Sequence, residues 1–143
     1  MRIEELLRRK GADVVTVKPR AKVASALEAL ARHNIGALVV SSDGVTVEGI
    51  LSERDIVRRL HETGADVLAA RISTVMSAEV LTCEPDAQVD SLVALMTNHR
   101  VRHVPVVEGG VLRGIVSIGD VVKSRMDELE TDRRALEDYI HAR

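Results

Sequence analysis

An internal repeat is the feature of this chain that most constrains its fold. The segment Gly49–Asp55 reads GILSERD, and it returns as GIVSIGD at Gly114–Asp120, sixty-five positions later. Two prolines, Pro19 and Pro85, repeat at a spacing of sixty-six. A chain of 143 residues is long enough for one compact domain or for two half-domains with a shared core. The repeat therefore predicts two related halves with pseudo-twofold symmetry.

Each half begins with a predicted strand and a predicted helix. The β-branched runs 14–17 and 80–83 are typical of strands, and the prolines that follow separate each strand from the next helix. In both helices apolar residues recur at positions i, i+3, i+4 and i+7, which indicates one buried face. These residues are Val23, Ala26, Leu27 and Leu30 in the first half and Val89, Leu92, Val93 and Met96 in the second.

Each half continues with a hairpin and a second helix. The runs 35–40 and 101–107 predict central strands, and the turns at 42–44 and 108–110 connect them to the closing strands. The whole chain is therefore predicted as an α/β (α+β) fold of two β-α-β-β-α repeats, followed by a C-terminal helix.

The predicted domain organisation has five parts. They are an N-terminal segment at 1–10, a first repeat at 11–62, a connector at 63–75, a second repeat at 76–125 and a C-terminal helix at 126–143. The connector is expected to be partly helical because of its run Val67–Ala70. The terminal helix carries a narrow apolar stripe, which we expect to lie on its own domain or on a partner subunit. This stripe comprises Met126, Leu129, Leu136 and Ile140.

Composition argues against several classes of function. The net charge is −2 and Tyr139 is the only aromatic residue, so neither a basic surface nor stacking rings are available for nucleic acid. No segment approaches the roughly 18 apolar residues of a membrane span, and the charged start Met1–Lys10 does not resemble a signal peptide. We therefore expect a cytoplasmic protein that contacts neither nucleic acid nor membrane.

Cysteine and histidine do not predict a metal site. Cys83 is the only cysteine and is expected to be a small core residue on a strand. The five histidines show no metal-ligand spacing with a cysteine or an acidic cluster.

The repeated Ser-x-x-Asp step allows two interpretations. A serine at a helix N-cap with an acidic residue three positions later is a capping box, which stabilises a helix by about 0.5–2 kcal/mol without any ligand. The same geometry places amides and a hydroxyl where they attract phosphate, and a carboxylate one turn later can accept both hydroxyls of a ribose. The spacing alone leaves both interpretations open for Ser52–Asp55 and Ser117–Asp120.

The doubled pattern resembles a known family. The run Ile35–Val40 with Ser52–Asp55, and the run Arg102–Val106 with Val116–Val122, look like a tandem pair of cystathionine-β-synthase (CBS) domains, or Bateman module. The resemblance covers about residues 11–125. It is similar in extent to the stand-alone CBS-pair proteins of bacteria and of plant mitochondria.

The resemblance implies a regulatory module and not an enzyme. Such a module binds an adenine nucleotide (AMP, ADP, ATP or NAD(H)) between its halves, has no catalytic cofactor, commonly forms a homodimer and acts on a partner protein, which here is unknown. An enzyme would need a placed base and usually a metal held by clustered carboxylates, and no second acid accompanies Asp55 or Asp120 at a useful spacing. The alternative is an interaction scaffold whose Ser-x-x-Asp steps are only helix caps.

The resemblance also implies roles for individual residues. Ser52 and Ser117 would contact phosphate, and Asp55 and Asp120 would bind ribose. Base recognition would come largely from the backbone of the central strands, and two threonines at matching strand positions are candidates to line the pockets. These base-site residues are Ile35, Gly36, Ala37, Val104 and Pro105, with Thr16 and Thr82 as the threonines.

The basic residues differ between the two halves. Arg102 and His103 stand where the first half has Gly36 and Ala37, and Arg54 stands opposite a glycine. Arg54 and Arg102 are candidate phosphate ligands because guanidinium groups bind phosphate in a bidentate fork, and His103 beside Arg102 is a third candidate. We therefore expect two related sites with different ligands or affinities.

A second difference precedes the first strand. Lys10-Gly11 replaces the family's usual Met-Ser or Met-Thr step, which Met76-Ser77 retains. This departure bears on the base contacts of the first site.

Overall fold

The computed structural model describes residues 1–142, and it consists of two repeats joined by a short helical connector. Its helices and strands, in chain order, are α1 (Ile3–Lys10), β1 (Thr16–Val17), α2 (Val23–His33), β2 (Ala37–Val40), β3 (Gly49–Ser52), α3 (Glu53–Thr63), a 3₁₀ helix (Gly64–Ala69), α4 (Ile72–Val75), α5 (Val89–His99), β4 (His103–Glu108), β5 (Val111–Ser117) and α6 (Ile118–His141). The predicted mixed α/β class is confirmed, and the connector is partly helical as expected.

The first repeat has a three-stranded sheet in the order β1-β2-β3. β1 pairs with β2 in parallel, and β2 pairs with β3 in antiparallel, as the predicted hairpin requires. All four residues of β2 are buried. Leu38 and Val40 belong to the apolar cluster that the sheet forms with α2, α3 and the connector.

The second repeat has a sheet of only two strands, β4 and β5. The strand predicted at 80–83 is wrong: it is reduced to a single parallel bridge between Cys83 and Val106. In the first repeat the amide of Val39 donates to the carbonyl of Val15 at 3.4 Å. Pro105 occupies the matching position of β4 and has no amide hydrogen, so the ladder cannot extend.

Cys83 lies at the edge of the second core and not inside it. Its side chain is half-buried and packs against that core's apolar residues. Burial raises the pKa of the Cys83 thiol to about 11, so the group is a neutral thiol at neutral pH. The expected role as a small core residue is met only in part.

Each repeat is completed by a segment that lies outside it in sequence. The helix α1 precedes the first repeat but packs on the second, and the connector precedes the second repeat but packs on the first. Ile3, Leu6 and Leu7 of α1 belong to the apolar core of the second repeat. The amide of Ile3 donates to the carbonyl of Ala87 at 2.9 Å, which anchors α1 there. The connector does the same for the first repeat, since Ile72 of α4 is fully buried in its core.

The last helix is longer than the sequence predicted. α6 begins directly after Ser117 and runs unbroken to His141, so the expected C-terminal helix is the continuation of the helix that caps the second repeat. After Gly119 it contains no glycine or proline, and Arg133 forms ion pairs with Glu130 and Glu137 along its exposed face. Position 143 of the predicted helix lies outside the described residues.

Candidate functional site

A cleft of about 970 Å³ lies between the two repeats. It collects the N-terminal ends of α3 and α6, the start of β2, and the segment before β4. Its lining residues are Gly36, Ala37, Ile50, Ser52, Glu53, Arg54, Asp55, Arg58, Ser77, Glu79, Val80, Leu81, His99, Arg100, Val101, Arg102, His103, Ser117, Ile118 and Gly119. The cleft is large enough for a nucleotide-sized molecule.

The first Ser-x-x-Asp step forms a capping box at the start of α3. The amide of Asp55 donates to Ser52 Oγ at 3.3 Å. In return, Asp55 Oδ2 accepts the Ser52 amide at 2.9 Å and the Ser52 hydroxyl at 3.0 Å. Within residues 1–142 no protein group donates to Asp55 Oδ1. Capping therefore uses one carboxylate oxygen and leaves the other for a ligand.

The amides of the first turn of α3 are only partly free. The Glu53 amide donates to the carbonyl of Gly36 at 3.0 Å, and the Asp55 amide is held by the cap. This leaves the Arg54 amide as the donor at the helix N-terminus. The expectation of free amides beside the serine therefore holds for one amide, not for a cluster.

The second Ser-x-x-Asp step is also a capping box, at the start of α6. The Asp120 amide donates to Ser117 Oγ at 3.1 Å, and Asp120 Oδ2 accepts the Ser117 amide at 2.8 Å. The same oxygen also accepts a hydrogen bond of 2.8 Å from Lys10 Nζ. Asp120, unlike Asp55, does not line the cleft.

Lys10 lies at the second site and not at the first. Its ammonium group donates to Asp120 and, at 2.6 Å, to the carbonyl of Ile115. The physical reason is the crossing of α1, which packs on the second repeat although it precedes the first in sequence. The sequence-based assignment of Lys10-Gly11 to the first site is therefore corrected.

The charge of Lys10 shifts the titration of Asp120. Burial raises the pKa of the Asp120 carboxyl, but hydrogen bonds from Lys10 and the Ser117 amide, together with the lysine charge, outweigh it. The pKa of Asp120 consequently lies below its ordinary value of 3.8.

Basic side chains outnumber acidic ones in the cleft. Four arginines line it, together with two histidines, against three carboxylates. The arginines are Arg54, Arg58, Arg100 and Arg102, the histidines His99 and His103, and the carboxylates Glu53, Asp55 and Glu79. This excess of positive charge favours an anionic ligand.

His103 lies at the contact between the two repeats. A methyl group built on Gly36 would lie 3.3 Å from His103 Cε1, so the ring packs against the glycine backbone. Burial lowers the pKa of His103, although Asp120 and Glu53 act in the opposite direction. The imidazole is therefore largely neutral at pH 7 in the absence of a bound anion.

The cleft brings together eight of the predicted site residues. These are Gly36, Ala37, Ser52, Arg54, Asp55, Arg102, His103 and Ser117. The other six, which do not line it, are Thr16, Ile35, Thr82, Val104, Pro105 and Asp120. Val104 and Pro105 are buried in β4, whereas the exposed Thr82 has its backbone beside the sheet edge.

Sequence reasoning missed Arg58 and the apolar end of the cleft. Arg58 follows Arg54 by one helical turn on α3, and that i, i+4 spacing was the available signal. The apolar end comprises Ile50, Val80 and Leu81. No sequence signal identified this end, because it forms only when segments distant in sequence pair. The backbones of Ser77 and Ile50 pair through hydrogen bonds of 2.9 and 3.0 Å, and this pairing brings Val80 and Leu81 to the cleft.

Neither a metal-ligand cluster nor a membrane-spanning helix occurs among the described residues. Within residues 1–142 no group of three or more His, Cys, Asp or Glu side chains is arranged to hold a metal ion. Over the same residues, none of the helices has both the length and the apolar character needed to cross a bilayer.

Comparisons with known proteins agree on one family. The CBS domain family model matches twice, at residues 3–62 and 72–127. The chain is 34% identical over 122 residues to the mitochondrial CBS domain-containing protein CBSX3 of Arabidopsis thaliana, with 82% of this chain covered. It spans 59% of the length of that protein.

Solved structures show the same fold. A CBS-domain-containing protein of Agrobacterium tumefaciens is 46% identical, with a TM-score of 0.84, and the match covers 87% of this chain and 99% of that one. The CBS domain pair of protein MJ0100, solved in complex with 5′-methylthioadenosine and S-adenosyl-L-methionine, has a TM-score of 0.80 at 22% identity. That match covers 90% of this chain and 98% of that one, and the likeness is one of fold.

Proposed function

This chain belongs to the CBS-domain family, and from that premise we propose that it is a non-catalytic sensor that binds an adenine nucleotide in the cleft between its repeats. The observation that carries the proposal is the combination, in one cleft, of an available carboxylate oxygen on Asp55 and an excess of arginines. The first suits the hydroxyls of a ribose, and the second suits phosphate.

The proposed pose follows the chemistry of the lining. The base packs on the apolar end of the cleft, near Val80 and Leu81. The ribose hydroxyls donate to Asp55 Oδ1 while Oδ2 continues to cap α3. The phosphates extend toward the Arg54 amide and the arginine side chains, where bidentate hydrogen bonds are available.

Binding of this kind favours a regulatory role. The cleft is formed by both repeats, with His103 of one against Gly36 of the other. A ligand held between them has different affinities for arrangements in which the repeats are closer or further apart, and only such a difference shifts an equilibrium. The regulated protein is a separate partner, in line with our sequence-based expectation.

Thermal unfolding of the full chain tests the proposal. AMP, ADP, ATP, NAD⁺ and NADH form the panel, and 5′-methylthioadenosine and S-adenosyl-L-methionine are added because the MJ0100 pair was solved with them. A ligand at 100 times its dissociation constant stabilises the fold by about 2.7 kcal/mol, which raises the melting temperature by several degrees. If none of the seven compounds raises it, the proposal is wrong.

A pair of variants assigns the ribose. Asp55→Asn retains the size of the side chain and removes its charge, and we expect about a 10- to 100-fold weaker affinity. The matched control is Asp132→Asn, because Asp132 is exposed on α6 far along the chain from the cleft. Equal affinity in the two variants contradicts the assignment of Asp55.

An interaction scaffold is the second candidate function, and one observation favours it. Both Ser-x-x-Asp steps are complete capping boxes, so neither needs a ligand to explain it. In a scaffold, Asp55→Asn lowers the melting temperature but leaves it insensitive to every nucleotide. A nucleotide-dependent shift in the unmodified protein rules this candidate out.

We also propose a homodimer that uses the apolar stripe of α6. Met126, Leu129, Leu136 and Ile140 are 64%, 68%, 61% and 59% exposed, and a groove of about 620 Å³ with apolar lining runs between α5 and α6. Light scattering after size exclusion tests this: the unmodified chain is expected at twice its mass, and Leu129→Glu at its monomer mass. A monomer in both contradicts the dimer.

We propose the cytoplasm as the site of action. The adenine nucleotides of the proposed function are compatible with that compartment. Fractionation of cells that express the native protein provides the measurement, and recovery in another compartment overturns this proposal.

A further inference from the structure

The two Ser-x-x-Asp steps have the same cap but not the same neighbours. Asp120 pairs with Lys10, and the two side chains are only 26% and 27% exposed. Among residues 1–142 Asp55 forms no ion pair, and it lines the cleft. Within residues 1–142 both caps leave Oδ1 without a protein donor, but only Asp55 lines the cleft and has no lysine beside it.

The cleft itself has the same asymmetry. Beside the first Ser-x-x-Asp step it extends from Ser52 past Ile50 to Val80 and Leu81, which gives that side an apolar end. Beside the second step the matching residues, by the register of the repeat, are Ile115, Val14 and Val15, and none of them lines the cleft. With Lys10 in place, the cleft therefore reaches neither Asp120 nor the apolar residues that would receive a second base.

Lys10 closes this side because α1 is longer than its counterpart α4. Leu7 of α1 packs over Gly114, just as Met76 packs over Gly49 in the first repeat. After Met76 the chain turns at once, and Ser77 pairs its backbone with Ile50. After Leu7 the helix continues to Lys10, whose ammonium group donates to the carbonyl of Ile115. In the first repeat the matching carbonyl, that of Ile50, accepts from the backbone amide of Ser77 instead.

Taken together, the geometry points to Lys10 as the residue that decides which site is used: it closes the second site, and this protein binds one nucleotide per chain with its ribose on Asp55. The inference rests on the proposed function and specifies its stoichiometry. A ribose beside Asp120 would need the space that Lys10 Nζ fills between Asp120 and the Ile115 carbonyl. The ammonium group would then lose both partners, and such a loss weakens affinity by about 10- to 100-fold.

Calorimetric titration of the full chain with ATP, AMP and NADH, each in turn, tests this inference. We expect one equivalent per chain for the unmodified protein. Asp55→Asn weakens that binding by about 10- to 100-fold, whereas Asp120→Asn leaves its affinity unchanged within about twofold. Lys10→Met opens the second site and raises the stoichiometry to two, and Lys10→Met combined with Asp120→Asn returns it to one.

Two control variants separate the role of Lys10 from general effects of charge or folding. Lys18→Met removes an exposed lysine outside the cleft and is expected to bind one equivalent. Lys10→Arg retains a cation beside Asp120 and is also expected to bind one. Circular dichroism establishes that each variant is folded. The titration of Asp120→Asn, in which Lys10 is unchanged, does not depend on the stability of the Lys10 variants.

The outcomes distinguish this inference from the proposed function. Two equivalents in the unmodified protein, one equivalent lost in Asp120→Asn, or one equivalent in a folded Lys10→Met variant each overturn the role of Lys10 while the nucleotide function stands. An absence of binding in the unmodified protein and in every variant overturns the proposed function, and the inference with it.

Discussion

The first and second repeats share a backbone frame but not an environment. Both have a hairpin, a helix that starts at a serine, and an aspartate that completes the cap. They differ in what crosses over to them: α4 with its short turn covers the first, and the longer α1 with Lys10 covers the second. The local sequence therefore repeats the hairpin and the helix cap in both halves, whereas the crossing segments α1 and α4 decide whether each candidate site is accessible to a ligand.

The largest expected effect tests the crossing itself. Ile3→Ala and Ile72→Ala each remove a fully buried side chain, one from each crossing segment. Each is expected to lower the free energy of unfolding by about 2–5 kcal/mol, because the vacated volume cannot close completely. Urea denaturation measures both, with Leu60→Ala, exposed on α3, as the control. A small effect for Ile3 alone would show that the second repeat does not depend on α1.

The next largest effect on stability compares the contact of Met76 with Gly49 and that of Leu7 with Gly114. A Cβ on Gly49 would lie 2.5 Å from Met76 Sδ and 3.0 Å from the backbone carbonyl of Ser77, whereas one on Gly114 meets only the end of Leu7, at 2.8 Å. Gly49→Ala is therefore expected to cost about 1–3 kcal/mol and Gly114→Ala less, since a side-chain end moves more easily than backbone. Thermal unfolding decides the order, and the reverse order would contradict the close backbone approach at Gly49.

A smaller effect isolates the ion pair of the second repeat. The folded-state pKa of Asp120 is below the ordinary 3.8, so its ionised form adds stability above pH 3.8, and this stability is lost as the pH falls through the lowered value. We expect it to amount to about 1 kcal/mol. Lys10→Met should reduce this acid-dependent loss, measured by urea denaturation between pH 2 and 6. An identical pH profile in the variant would mean that Lys10 does not hold Asp120.

The smallest effect concerns the shortened sheet. Pro105→Val supplies the amide that the second repeat lacks, and that amide is expected to donate to Leu81 as Val39 donates to Val15. A new hydrogen bond contributes about 1 kcal/mol, but loss of proline raises the entropy of the unfolded chain by a similar amount. Stability should hence change little, while hydrogen exchange at position 105 becomes slow. Fast exchange there would show that proline is not what ends the ladder.

Much of the fold and part of the site follow from local patterns. The hairpins, the apolar faces of α2 and α5 and both caps depend on residues close in sequence, and all were predicted. The reduction of the strand at 80–83 to one bridge was not, since Pro105, which ends the ladder, is more than twenty positions away in sequence. Arg58 and the apolar end of the cleft were also missed, because they join the site only when the repeats and the connector pack together.

The sequence by itself determined that there are two repeats, that α3 and α6 begin at serine caps, and that basic residues are unequal between the halves. Those properties depend on period, spacing and residue type within one segment. Only the tertiary structure decided that Lys10 faces Asp120 across 110 positions of chain. The reason is that α1 buries the apolar side chains of Ile3 and Leu7 on the second repeat, and the hydrophobic effect holds it there. This packing brings Lys10, at the end of α1, to Asp120, and no local pattern specifies that contact.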